Sequence, residues 1–134
     1  MSTEIIVDPP FTQVTLEIVA DADWTDSLPP LLLDGAPLDL ADRILELYIR
    51  PTYDHTVLLK KLTSLGSAGI VVDDAAGGLA SIYVERPVIV SDLPVGRWMQ
   101  FLVLREPVDD PDDIDSFSFR EIWRGALVVH PGRT

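Results

Sequence analysis

Cysteine is absent from this 134-residue sequence. Disulfides, thiolate metal ligands and a cysteine nucleophile are therefore all excluded. No apolar run approaches the roughly 18 residues of a membrane-spanning helix. Basic residues are scarce, with 10 Lys and Arg against 22 Asp and Glu and a net charge of −12. Such a balance lacks the cationic surplus that displaces counterions from a phosphate backbone, so no nucleic acid partner is expected. Docking on an anionic membrane is disfavoured for the same reason. The opening MSTEIIVDPP is acidic and broken by two prolines, unlike the basic and apolar segments of a secretory signal.

What is present is a chain for one globular domain. Hydrophobic residues make up 47% and charged residues 24%, enough to bury a core at this length. Eleven prolines and eight glycines punctuate it, a rhythm of short strands and turns. Between the breaks, apolar residues alternate with polar ones, as in half-buried strands. Val14, Leu16 and Ile18 alternate with Gln13, Thr15 and Glu17. Leu45, Leu47 and Ile49 alternate with Glu46, Tyr48 and Arg50. Ala80, Ile82 and Val84 alternate with Ser81, Tyr83 and Glu85, and pair with Ile70 and Val72 as a hairpin across Asp74 to Gly78.

Arg97 to Arg105 is apolar on both faces and reads as a central strand. Phe117, Phe119 and Trp123 alternate with Ser118, Arg120 and Arg124, and Gly125 marks a bulge or a close backbone approach. Val57 to Leu62 is read as a strand, and Leu28 to Leu33, with Pro29-Pro30, as an edge strand. Only Leu38 to Glu46 offers a helix start, with Asp39 as N-cap, for a short helix that Pro51 would end. The expected fold is all-β: a single antiparallel β-sandwich, immunoglobulin-like, of about seven to nine strands over residues 12–134. An extended N-terminal arm, residues 1–11, precedes it. Leu47, Ile70, Ile82, Phe101 and Val128 are expected to be buried.

Chemistry-bearing residues are few. Asp109, Asp110, Asp112, Asp113 and Asp115 crowd together, but the EF-hand pattern fails because Asp115 stands where its glycine belongs. A solvated acid run is the expected reading, with no metal and no cofactor. His55 and His130 match no zinc spacing, and Gly66-Ser67-Ala68-Gly69 is not a nucleophile elbow. Trp98 and Trp123 fall inside strands and are expected to pack. Trp24, set among Asp21, Asp23 and Asp26, is expected as an exposed anchor at an interface. In the arm, Ile5, Ile6 and Val7 form an apolar triplet that Asp8-Pro9-Pro10 separates from the first strand, a candidate for pairing with a neighbour's sheet edge.

Residues 31–134 also carry a string of motifs. They are Leu33-Asp34-Gly35-Ala36-Pro37-Leu38-Asp39-Leu40, Leu47-Tyr48-Ile49-Arg50, Gly69-Ile70-Val71-Val72, Gly78-Leu79-Ala80-Ser81-Ile82-Tyr83-Val84, Leu93-Pro94-Val95-Gly96-Arg97-Trp98 and Trp123-Arg124-Gly125-Ala126-Leu127-Val128-Val129. The string resembles small structural proteins of tailed bacteriophages related to the N-terminal domain of the siphophage baseplate upper protein. The resemblance implies a β-sandwich that serves in the virion as an adaptor or accessory subunit, with no catalysis. It implies other virion proteins as partners and a homo-oligomer or symmetric array. It carries over no functional residue, because the matched positions are turns and core. A carbohydrate- or host-surface-binding sandwich, with Trp24 and the acidic run as ligands, is the alternative.

Overall fold

The computed structural model describes residues 12–28, 30–33, 35–52, 57–107 and 117–132. The arm with Ile5, Ile6 and Val7, the acid run Asp109–Asp115 and His55 lie outside the described residues. The strands are β1 (Thr12–Gln13), β2 (Leu16–Val19), β3 (Trp24–Ser27), β4 (Leu32–Leu33), β5 (Ala36–Pro37), β6 (Ile44–Arg50), β7 (Lys60–Thr63), β8 (Ile70–Asp74), β9 (Leu79–Val84), β10 (Gly96–Pro107) and β11 (Phe117–His130). One α-helix among the described residues, α1 (Arg86–Asp92), lies between β9 and β10.

The molecule is mostly β, with a six-stranded sheet and a three-stranded sheet. The larger has the order β1-β11-β10-β6-β7, with β2 also on β11, and the smaller has the order β3-β9-β8. Residues from both sheets meet in one core. Leu45, Leu47, Ile49, Leu102, Leu104, Leu127 and Val129 enter it from the large sheet, and Ile70, Ala80, Ile82 and Val84 from the small one. Fully burying each large aliphatic side chain contributes about 1.5–3 kcal/mol.

Alternation placed most of these correctly, and β10 is the central strand expected of Arg97 to Arg105. Val128 is a correction. It is half-buried, while Leu127 and Val129 point inward. The pairing is also not wholly antiparallel, because β1 and β2 both run parallel to β11. No helix forms at Leu38 either. Asp39 accepts a hydrogen bond from the Ala41 amide at 2.9 Å, a local turn that competes with a helix, and Asp42 takes a left-handed φ of 59°. The helix appears instead at Arg86. A proline in its first turn sets φ, and Asp23 accepts the Arg86 amide at 2.7 Å.

A polar knot ties the N-terminal strands to the rest. Gln100 is fully buried. Its amide nitrogen donates to the Val14 carbonyl at 2.8 Å, and its amide oxygen accepts from Trp123 Nε1 at 2.6 Å. The Val14 amide in turn donates to the Arg124 carbonyl at 2.9 Å. This requires Gly125, opposite Gln100, because a Cβ there would lie 1.8 Å from the Val14 carbonyl oxygen. The close approach expected at Gly125 is thus present.

At one end of the core, the β4–β5 hairpin rests on the β8–β9 turn. Leu31 and Gly78 are joined through the Leu31 amide and the Gly78 carbonyl at 3.0 Å. Gly78 has a φ of +68°, and a side chain there would also strike the Leu31 carbonyl.

Removing the knot has a calculable consequence. Gln100→Leu keeps the volume but leaves the Val14 carbonyl and the Trp123 indole N–H buried without that partner. The expected loss is about 2–4 kcal/mol in urea unfolding. Leu58→Ala, at an exposed site, is expected to change stability by less than about 0.5 kcal/mol. A Gln100→Leu loss no larger than that of Leu58→Ala would show that the knot is dispensable.

Candidate functional site

Among the described residues, those singled out in the sequence do not converge. Trp24 is the clearest correction, being only 3% exposed and part of the core. Its ring packs inward while its Nε1 donates to Asp26 Oδ2 at 3.0 Å. A neighbouring carboxylate therefore satisfies the one polar atom that burial would otherwise strand. Trp123 is buried and Trp98 packs partly against the core, its Nε1 donating to the Pro94 carbonyl at 2.8 Å. His130 is exposed at the end of β11, with Nε2 3.2 Å from Glu17 Oε1. Among the described residues, no three of His, Cys, Asp and Glu gather as metal ligands would.

The concentration of chemistry lies instead on the outer face of the six-stranded sheet. Successive strand residues point to opposite faces, so Leu45, Leu47 and Ile49 inside place Glu46, Tyr48 and Arg50 outside. Strand register then assembles rows across the sheet. Lys61, Tyr48, Phe101 and Arg124 form one row. Thr63, Glu46, Val103 and Glu121 form the next, and Arg50, Met99 and Ala126 flank them on the other side. Phe101 is 3% exposed yet lies outside the main core, as does the buried Ala126.

A β-bulge completes this face. The β10–β11 register shifts between Leu102 and Val103, so that Trp123 faces Leu102 while Glu121 faces Val103. Ile122 and Trp123 therefore both enter the core, and Glu121 and Arg124 share the outer side. Residues three apart in a regular strand would point to opposite faces. Here Arg124 grips the Glu121 carboxylate through Nε at 3.0 Å and NH2 at 2.9 Å. Its guanidinium also lies over the Phe101 ring, 5.7 Å from the centroid, as that of Arg50 lies over Tyr48 at 5.4 Å.

Glu46 is the electrostatic centre. Its side chain is 2% exposed, which would be costly for an isolated carboxylate. Tyr48 OH donates to it at 2.9 Å, Lys61 Nζ lies at 3.4 Å and Arg105 Nε at 3.6 Å. Three partners from three strands thus hold one charge. Burial, with the adjacent Glu46 carboxylate, pushes the Tyr48 phenol up to about 12. Sequence reading missed this cluster because its members are adjacent only through register. The available signal was Glu46 and Tyr48, two residues apart on the polar side of an otherwise apolar strand.

Beside β7, an open groove of 440 Å³ is lined by Lys60, Lys61, Tyr83, Glu85 and Val88, among others. Lys60 is committed there to Asp92 at 2.8 Å, tying β7 to α1. That hydrogen bond and one from Ser91 hold the Asp92 carboxyl below its ordinary range. No known protein family and no curated protein matches the chain.

The Tyr48 environment predicts a pH dependence. In the unfolded chain the phenol ionises near 10, while in the folded protein it holds its proton to about 12. Its contribution to stability is therefore present below about pH 10 and is lost as pH rises toward 12. Spectrophotometric titration, taken as the difference from Tyr48→Phe, is expected to show a late-ionising phenol. Glu46→Gln is expected to move that ionisation toward the ordinary value. An unchanged midpoint in Glu46→Gln would show that the carboxylate does not contribute.

Proposed function

We propose that this chain is a non-enzymatic structural or accessory protein of a tailed-bacteriophage virion, acting through protein–protein contacts. The observation that supports a contact role is the outer face of the six-stranded sheet. There half-buried Tyr48, Met99, Val103 and Val128 share one outer side with Arg50, which lies over Tyr48, and with Arg124, which lies over the covered Phe101 ring. Interfaces are enriched in this mixture of aromatic residues, Met and Arg. The virion assignment draws on the motif string over residues 31–134, which resembles phage baseplate-related proteins. On this reading the two sheets around one core are a β-sandwich of the immunoglobulin-like kind. The protein is made in the host cytoplasm and incorporated into the particle beside other virion proteins.

The carbohydrate-binding alternative loses its aromatic platform, since Trp24 is buried. Quantitative mass spectrometry of purified particles tests the virion reading. The chain is expected as a stoichiometric component, present in multiple copies and retained through gradient purification. Its absence from particles of a phage that expresses it would overturn the assignment.

A further inference from the structure

β7 ends the six-stranded sheet, and β8 ends the three-stranded one. They meet where Thr63 and Gly69 form an isolated parallel bridge. The Thr63 amide donates there to the Ala68 carbonyl at 2.9 Å, and on the other side the Tyr83 amide donates to the Gly69 carbonyl at 2.9 Å. Gly69 thus stands between β7 and β9. Before it, the chain does not continue as a strand, because the turn at Leu65–Ser67 carries it aside with left-handed φ values at Gly66 and Ser67. β7 and β9 therefore run on from the bridge two strand spacings apart, roughly 10 Å. No strand separates them there among the described residues. The groove of 440 Å³ is this gap. Lys60, Lys61 and Leu62 line one side, Tyr83, Val84 and Glu85 the other, and Val88 of α1 also borders it.

Main-chain groups face the gap from both sides. Residues two apart in a strand direct their backbone groups to the same side. The N–H and C=O of Lys61 therefore face it as the Thr63 amide faces Ala68, and the Glu85 N–H faces it as the Tyr83 amide faces Gly69. None of these three groups has a hydrogen-bond partner among the described residues. The gap also sorts side chains. Leu62 and Val84 belong to the core, and Val88 packs partly against it, while Lys61, Tyr83 and Glu85 are exposed. Lys61 is drawn toward Glu46 at 3.4 Å. The Glu85 carboxylate has no ion pair or hydrogen bond among the described residues, and Tyr83 is 47% exposed. A strand lying in the gap meets apolar neighbours on its inner side. On its outer side it meets an aromatic ring and an unpaired carboxylate.

We infer that this groove takes up an extended segment of another protein, with an aliphatic residue turned inward between basic residues turned outward. Backbone hydrogen bonds to β7 and β9 supply affinity, and the alternating side chains supply selectivity. A paired strand of a second copy does not fit, because the incoming segment must be free to bond on both sides. A basic side chain suits the Glu85 carboxylate and the Tyr83 ring face, and it approaches a chain of net charge −12. The groove lies at the edge of the six-stranded sheet rather than on its outer face, and the inference does not depend on the virion assignment.

Fluorescence anisotropy on the full chain tests this with a labelled, capped hexapeptide of alternating lysine and valine. Saturable binding is expected. The same peptide methylated at every backbone nitrogen, equal in charge, is expected to bind at least about tenfold more weakly. Glu85→Lys is expected to weaken the unmethylated peptide by a similar factor. Glu17→Lys, the same charge change on β2 beside β11, is expected to leave its affinity within about twofold. Lack of saturable binding overturns the inference. Equal affinity for the two peptides does so too, since attraction by net charge alone would explain it, and that comparison uses only the wild-type chain. Equal losses in Glu85→Lys and Glu17→Lys have the same meaning. Wild-type self-association in sedimentation velocity that the peptide disrupts would assign the groove to a second copy and overturn the partner named here.

Discussion

The Gln100 amide is the constraint around which the large sheet is arranged. It is fully buried in the central strand and joins residue 14 to residue 123 by two hydrogen bonds. A buried amide without partners would oppose folding, whereas a satisfied one specifies which groups must surround it. Its demand for a carbonyl acceptor draws the Val14 backbone over β11, and only glycine at position 125 leaves room. Its oxygen fixes the Trp123 indole and so the direction in which that large ring fills the core. The parallel seating of β1 and β2 beside β11 follows the same geometry.

The bulge beside this knot links the core to the surface. By sending both Ile122 and Trp123 inward, it brings Glu121 and Arg124 to the same outer side. Arg124 can then stack on Phe101, which covers an aromatic ring that would otherwise be open to water. Glu46, Tyr48, Lys61 and Arg105 make a second cluster on the adjoining strands. Exposed ion pairs contribute little to stability on their own. Lys61 is 42% exposed, so its share in holding Glu46 is screened by solvent. The buried carboxylate depends more on the Tyr48 hydroxyl and on Arg105. The result is a polar surface with fixed side-chain positions, built from the register of the sheet.

Much of the fold was legible because a period of two is hard to imitate. Val14, Leu16 and Ile18, then Leu45, Leu47 and Ile49, then Ala80, Ile82 and Val84 are all buried as alternation requires. The Asp74–Gly78 turn was legible from its composition, with the Asp74 side chain accepting the Gly77 amide. Other features were hidden for physical reasons. Trp24 sits among acids, which suggests exposure, but Asp26 is the partner that permits its burial. The phase of Val128 is not legible, because nothing in the all-apolar run Ala126 to Val129 marks which side faces the core. The α1 segment contains Val88, Ile89 and Val90, residues that favour strands, and only Pro87 in its first turn announces a helix. The outer-face clusters were illegible because their members come from β6, β7, β10 and β11, and register is a property of the folded sheet.

The parallel pairing of the first strands with the last one has a kinetic meaning. Thr12 lies opposite Trp123, and Leu16 opposite Leu127. While the chain is being synthesised, β1 and β2 have no partner until β11 has left the ribosome. The loop that their docking closes spans almost the whole domain, a high contact order and therefore a slow search. During that interval, Leu16 and Ile18 are apolar edges without a sheet, open to pairing with another nascent chain. Folding of this domain is thus expected to finish only once β11 has been made, with the docking of the N-terminal strands as its slow step.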